Sequence, residues 1–429
     1  MTWYVKASSL VLLIFLIHCA DRPAVERESE ADPCAIALAP HAGESKEDLA
    51  IAHLQEKASR SQRPAAYLER LGWAFVAKAR VSYDPGFYKL AEQSALCIES
   101  KSPGINEALL LRGHVLHNLH RFQEAEVLAR RLVAQRGLSF DFGLLGDVLL
   151  EQGKLTEAID AYQEMMDQKP SPQAYSRSGY VRWLKGDLLG AIELMRMAAG
   201  ASGSADPESA AWAQVRLALF ELQAGRLPVA DSLIERALAL QPDYAPALLA
   251  RGRLLLAEGK DEESVSPLAR AATLNPTPEY QWLLIDALRG VEREKEAAVV
   301  EAQLLERGAV DDERTFALYL ATRGKDVETA VRLAERELEA RADVFTLDAL
   351  AWALHAAGRS EEASALSQRA LAEGTRDARL FLHAGVIAAA LGDSDNARLR
   401  LDQATAIERM LLPSERTHLR AAISRTSAD

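Results

Sequence analysis

The stretch that decides the fold reads Gly146-Asp147-Val148-Leu149-Leu150-Glu151-Gln152-Gly153-Lys154-Leu155-Thr156-Glu157-Ala158-Ile159-Asp160-Ala161-Tyr162 and closes at Pro170. Gly146 lies seven positions before the turn glycine Gly153, and Ala158 follows five positions after it. The same triplet recurs along the chain. Turn glycines stand at Gly153, Gly186, Gly225, Gly259, Gly324, Gly358 and Gly392, spaced by 33, 39, 34, 65, 34 and 34 residues. The interval of 65 is close to two periods. Seven residues upstream are Gly146, Gly179, Ala218, Gly252, Ala317, Ala351 and Gly385. Downstream are Ala158, Ala191, Ala230, Ala330, Ala363 and Ala397. Self-similarity near 34 residues is the mark of a repeat architecture. The small residue of the first helix lets the second approach closely, and the downstream alanine does the same from the other side. A glycine between them lets the turn adopt backbone angles that other residues avoid. Pro170, Pro242 and Pro276 stop the second helix before the next unit starts.

This pattern resembles the tetratricopeptide repeat family, in which each unit is a helix–turn–helix. Gly146, Gly153, Ala158, Tyr162 and Pro170 are one good copy; Gly385, Gly392, Ala397 and Ala404 are another. The resemblance implies an all-α, right-handed superhelical solenoid of about ten units over residues 65–411. The units start near residues 65, 106, 139, 172, 211, 245, 279, 310, 344 and 378. Two are degenerate: the first carries an insertion around Tyr83-Asp84-Pro85-Gly86, and the seventh has Arg293 where the turn glycine belongs. Residues 44–64 and 412–429 read as capping helices, the latter with a short tail. Ala174-Tyr175-Ser176-Arg177 and Asp348-Ala349-Leu350-Ala351-Trp352 look like a widespread bacterial subfamily of such repeats. In the family the first helix of each unit lines the concave face. Carried over by position, this puts Trp73, His114, His117, Tyr180, Trp183, Trp212, Tyr280, Phe345, Trp352 and His355 in a partner-binding groove. Aromatic side chains of this kind make binding hot spots, and the expected occupant is an apolar or aromatic peptide segment. Lys and Asn are scarce at these positions, so the two-carboxylate clamp of some family members is not evident.

Composition points the same way. Of 429 residues, 49% are hydrophobic and 26% charged, with aromatics at 6%. Ala, Leu, Glu and Arg recur throughout, all strong helix formers. No stretch alternates as a strand would. A single core stops growing well short of this length, whereas a repeat array buries each apolar face on the next unit. The net charge of −12 argues against nucleic acid, whose phosphates call for a basic face. Gly259-Lys260-Asp261, Gly153-Lys154-Leu155 and Gly324-Lys325-Asp326 lack the frame of a phosphate-binding loop and read as repeat turns. No metal-binding, nucleophile-elbow or dinucleotide motif is present, so no cofactor, metal or catalytic residue is expected. His114, His117 and His120 fan over one helix face with no acid or thiol nearby to complete a metal site.

The N-terminus is not part of the fold. Leu10–Ile17 is an unbroken apolar run behind Lys6, a signal segment too short to span a bilayer. It ends in Leu16-Ile17-His18-Cys19, which resembles the lipobox of bacterial lipoproteins, with His18 where that family has a small residue. The resemblance implies that residues 1–18 are removed and Cys19 is lipidated, and Ala20 after it favours the outer membrane, facing the periplasm. Residues 19–43, with Pro23, Pro33 and Pro40 and a run of acids, read as a flexible acidic tether. Cys34 and Cys97 are read as unpaired thiols, a bridge in an oxidising compartment being the alternative. The expected function is a non-catalytic, membrane-anchored protein-interaction scaffold in envelope assembly, secretion or pilus biogenesis. The alternative is a cytosolic or inner-membrane regulatory scaffold, and more remotely an accessory subunit of an enzyme.

Overall fold

The computed structural model describes residues 32–203 and 206–426; Cys19 and the signal segment lie outside them. Among the described residues the regular structure is helical throughout. A short helix α1 (Pro33–Ala37) precedes the cap α2 (Lys46–Arg60). Ten helix pairs follow, as the spacing predicts: α3/α4 (Ala65–Ser82, Gly86–Lys101), α5/α6 (Asn106–Asn118, Phe122–Gln135), α7/α8 (Ser139–Glu151, Leu155–Gln168) and α9/α10 (Pro172–Leu184, Leu188–Ala201). Then come α11/α12 (Pro207–Gln223, Leu227–Leu240), α13/α14 (Ala245–Ala257, Asp261–Leu274) and α15/α16 (Pro278–Gly290, Glu294–Asp311). The last pairs are α17/α18 (Glu313–Arg323, Val327–Ala340), α19/α20 (Val344–Ala356, Ser360–Leu371) and α21/α22 (Ala378–Ala390, Ser394–Ala406), closed by α23 (Pro413–Thr426). The array is a solenoid of stacked helix–turn–helix units.

Local chemistry places each start and stop. Side chains of Ser171, Asp206, Asp312, Asp343 and Asp377 cap the first helices of their units by accepting from backbone N–H groups of the opening turn. Pro172, Pro207 and Pro278 take the first helical position, where no N–H is needed. Between the two helices of a pair, small residues are required by contact. A Cβ on Gly146 would overlap the ring of Tyr162, on Gly252 the side chain of Leu268, and on Gly385 that of Leu401. Ala158, Ala191, Ala230, Ala330, Ala363 and Ala397 are fully buried opposite them.

The seventh turn corrects the sequence reading by one position. The left-handed residue there is Glu292, at φ 61°, and not Arg293. A non-glycine residue in this region costs about 1 kcal/mol or more. Glu292→Gly is therefore expected to add roughly 0.5–1 kcal/mol to the unfolding free energy, read as a higher thermal or denaturant midpoint; an unchanged midpoint would show that the turn carries no strain.

The N-terminal segment departs from the tether reading within the described residues. Cys34 is joined to Cys97 by a disulfide, so the two are not free thiols. Gln55 Nε2 donates to the carbonyls of Ala37 and Ala39, and His41 contacts the Asp48 carboxylate at 2.7 Å. Ala37 is fully buried. Residues 32–43 thus lie on the cap and the first unit, since polar contacts to α2 and a cross-link to α4 hold them there.

A second departure concerns what a unit touches. In a simple solenoid each unit meets only its neighbours. Here the superhelix winds tightly enough for successive laps to meet. The Ala342 N–H donates to Glu151 O at 3.0 Å, and Arg341 pairs with the Glu151 carboxylate. Six units after α9, Thr375 Oγ1 donates to Leu184 O at 2.6 Å, and Lys185 pairs with Glu373. Gln223 Nε2 donates to Arg376 O, and Arg409 donates to Gln223 O. The same edge continues at both ends, where the Ala245 N–H donates to the Tyr83 hydroxyl and Arg416 to Leu256 O. The turns of the first lap therefore lie against the helix starts of the second, and the first helices line a channel.

Candidate functional site

The main cavity of this channel has a volume of about 630 Å³ and is lined chiefly by α5, α7, α9 and α11, with Arg80 from α3 and Tyr162 from α8. That volume is in the range of ligand-binding clefts. Its walls follow from the repeat: the inward face of each first helix contributes two or three side chains at helical spacing. Of the residues expected in the groove, His114, His117, Tyr180 and Trp212 line this cavity. Trp73 stands behind His114, their rings 5.2 Å apart.

The structure takes the others elsewhere. Trp183 lies in a stack across the lap seam, 5.8 Å from Phe345, 5.9 Å from Phe220 and 5.6 Å from Tyr180. Its Nε1 donates to Gln223 Oε1 at 2.8 Å, the same side chain that bridges to Arg376. Trp183 and Phe345 therefore hold laps together and do not face an open groove. Tyr280 is only 7% exposed and Trp352 only 3%. The Trp352 ring is sandwiched between His383 and His355, and its Nε1 donates to Thr322 Oγ1 at 3.0 Å. His355, half-buried, reaches Ser360 Oγ at 3.0 Å. The causes differ: Trp183 and Phe345 are taken up by the contact between laps, whereas Trp352 and His355 are taken up by their own unit and its sequence neighbours, through Thr322, Ser360 and His383.

Electrostatics in the cavity come from residues that aromatic positions did not single out. Asp147 accepts from the Arg177 guanidinium at 2.7 and 2.5 Å and from the Tyr162 hydroxyl at 2.9 Å. The Arg177 cation and the hydrogen bonds on the carboxylate oxygens hold Asp147 below its usual range, against the opposing effect of burial. Arg80 reaches across the channel to Glu208 and Ser209. The sequence signal for these residues was spacing: Arg177 is three positions before Tyr180, and Arg216 four after Trp212, each on the same helix face.

Burial drives His114 down to about 3, so it is neutral at ordinary pH. His120, at φ 58° in a turn, stacks on Phe122 and is pushed down to about 4, again mainly by burial. For a base whose folded value is depressed, stability is present above the unfolded value near 6.5 and is lost as pH falls below it. Unfolding midpoints are thus expected to drop between pH 6.5 and 4. His114→Gln should make that drop shallower by about one proton, or ~1.4 kcal/mol per pH unit. An identical slope in the variant would show that His114 does not contribute. Among the described residues no group of three or more His, Cys, Asp or Glu is placed to hold a metal ion.

Residues 144–207 and 215–278 match the tetratricopeptide repeat family, the part of the chain that supplies α9 and most of the cavity wall. A comparison with curated proteins finds no match. Among solved structures, the chain is similar to the human IFIT1 dimer with PPP-AAAA, at 15% identity over 76% of this chain and 77% of that one, with a TM-score of 0.48. It is similar to yeast Tom70 at 13% identity, over 89% and 97%, with a TM-score of 0.38. A third is the APC/C hetero-tetramer Cut9–Hcn1, at 11% identity over 89% and 97%, with a TM-score of 0.37.

Proposed function

We propose that this protein is a non-catalytic interaction scaffold, held at a membrane through a lipidated Cys19, that captures a segment of a protein partner inside its channel. The observation that carries the reading is the cavity of about 630 Å³ formed by first helices of successive units. It combines an exposed indole, that of Trp212, with fixed polar groups, the mixture that binds peptides with specificity. The Cys34–Cys97 disulfide supports an oxidising compartment such as the periplasm, where such bonds persist. Among the described residues no helix is long and apolar enough to cross a membrane, and attachment in this reading is by lipid at Cys19. Two acyl signals or more give stable anchoring. Docking of residues 32–43 onto the N-terminal helices leaves about a dozen residues of chain between Cys19 and the first docked residues.

The test is a crosslinking pull-down from native membranes with wild type, Trp212→Ala and Cys19→Ser. Trp212 is chosen because Trp183 belongs to the lap seam, and its removal would disturb the winding itself. A partner held by wild type and lost with Trp212→Ala supports channel capture. Retention by Trp212→Ala sinks it, and a Cys19→Ser protein still in the membrane fraction sinks lipid anchoring.

A further inference from the structure

The bore of the second lap is filled by the last described helix of the chain itself. Beyond α22 the chain turns inward through residues 407–412, and α23 follows. Ser414 donates from its backbone N–H and its hydroxyl to Asp286 Oδ2 on α15, at 2.9 and 2.5 Å, and accepts from Trp282 Nε1 at 3.2 Å. His418 hydrogen-bonds the backbone of Thr322 on α17. The same ring meets Trp352 on α19 edge-on, with centroids 6.1 Å apart. Glu415 pairs with Arg379 on α21. A helix that touches four successive first helices lies on the face they share, and that face is the channel wall. Residues 408–410 reach α11, which also walls the open cavity of the first lap.

The hold on α23 is largely polar. Of its 14 residues only Glu415, Leu419 and Ala422 are buried, whereas α19 and α21 each bury ten of 13. Leu411 and Leu412, just before it, supply the remaining apolar anchors. Polar contacts exchange for water when the helix leaves, so they fix its register more than they retain it. Departure also leaves the wall satisfied. Asp286 keeps its pair with Arg323, and Arg379 gains water from the opened bore.

Resting on the scaffold reading, we propose that α23 is an autoinhibitory plug, which fills the second lap of the channel as a ligand held in cis and must be displaced before a partner segment can extend beyond the first-lap cavity. The cavity along α5 to α11 and the bore along α15 to α21 are then two halves of one site. Only the first half is open while α23 is seated. The short connection through residues 407–412 keeps the plug at a high effective concentration, so a partner competes with it at a disadvantage.

The test uses the whole chain and a fluorescein-labelled peptide of residues 407–426. Leu419→Asp puts a charge on the buried face of α23 and should expel the helix, with the circular dichroism of the other helices intact. This form should bind the peptide about tenfold or more tightly than wild type does, because its own helix no longer competes. A peptide carrying the same Leu419→Asp change should not bind. In wild type, amides of α23 should exchange by local opening, ahead of those of α19 and α21. Capture of partners from native membranes should rise by about tenfold in Leu419→Asp. Exchange of α23 only together with α19 and α21, or loss of helical signal throughout the variant, makes α23 part of the core and overturns the proposal. Equal peptide binding by the two forms overturns it as well. Tighter peptide binding with unchanged capture shows a plug that does not inhibit, which overturns the proposal and leaves the scaffold reading standing. Capture by neither form overturns both.

Discussion

Gly153→Ala is expected to part the two laps, whereas the same change at Gly259 is not. Both glycines occupy the turn of their unit with nearly the same backbone, at φ 73° and 75°. Alanine in that region costs roughly 1–2 kcal/mol in either place. Their surroundings differ. A Cβ on Gly259 meets nothing within 4 Å, while one on Gly153 would lie 2.3 Å from the carbonyl oxygen of Ala342, in the second lap. Backbone cannot rotate aside as a side chain can, so the lap must move, and the bond from the Ala342 N–H to Glu151 O is strained with it. Overpacking of this sort adds about 1–3 kcal/mol. The measurement is a pair: urea midpoints for both variants, with radii of gyration from small-angle scattering. Gly153→Ala should lose more stability and expand. Equal losses and equal radii would mean that the laps are not in contact in solution. Gly186→Ala should follow Gly153→Ala, since its Cβ would press on the carbonyl of Gly374.

Removing the Cys34–Cys97 bridge in a Cys34→Ser, Cys97→Ala protein is expected to loosen the N-terminal end and little else. The bridge spans 63 residues of chain, and restricting a loop of that size in the unfolded state stabilises by about 4 kcal/mol. Because solenoid units unfold as semi-independent neighbours, the loss should fall on residues 32–101. Hydrogen exchange should show faster exchange in α1, α2, α3 and α4 and unchanged protection in α19 to α22. Serine at position 34 is tolerable there, since that side chain is partly exposed; alanine at the fully buried Cys97 keeps the site apolar. Unaltered protection in α1 and α2 would show that Gln55 and the His41–Asp48 contact hold the segment without the cross-link.

Much of the fold was legible because its code is local. The 34-residue recurrence of Gly146, Gly153 and Ala158 with their counterparts gave ten helix pairs, and the close approach of Tyr162 to Gly146 and Leu268 to Gly252 supplies the physical cause. Where a turn lacked glycine, the reading slipped by one residue, to Arg293 in place of Glu292, because helix ends carry little sequence signal of their own. The cavity was legible in part. His114, His117, Tyr180 and Trp212 came from position in the repeat, but Arg177 and Arg216 were passed over, because a charged side chain on a helix is most often solvated.

The sequence by itself determined that the chain is a helical solenoid, how many units it has and which side of each first helix turns inward. Each of these depends on residues within one repeat or its neighbour. Tertiary structure alone decided the pitch. Small rotations between units add up over six repeats, and no single residue records their sum. That sum brings Glu151 to Ala342, Leu184 to Thr375 and Trp183 to Phe345, turning an open groove into a channel. It makes Gly153 a contact residue while Gly259, with the same turn geometry, stays free of the other lap. It also decided the state of Cys34 and Cys97, two thiols far apart in sequence that meet because α1 folds back on α4.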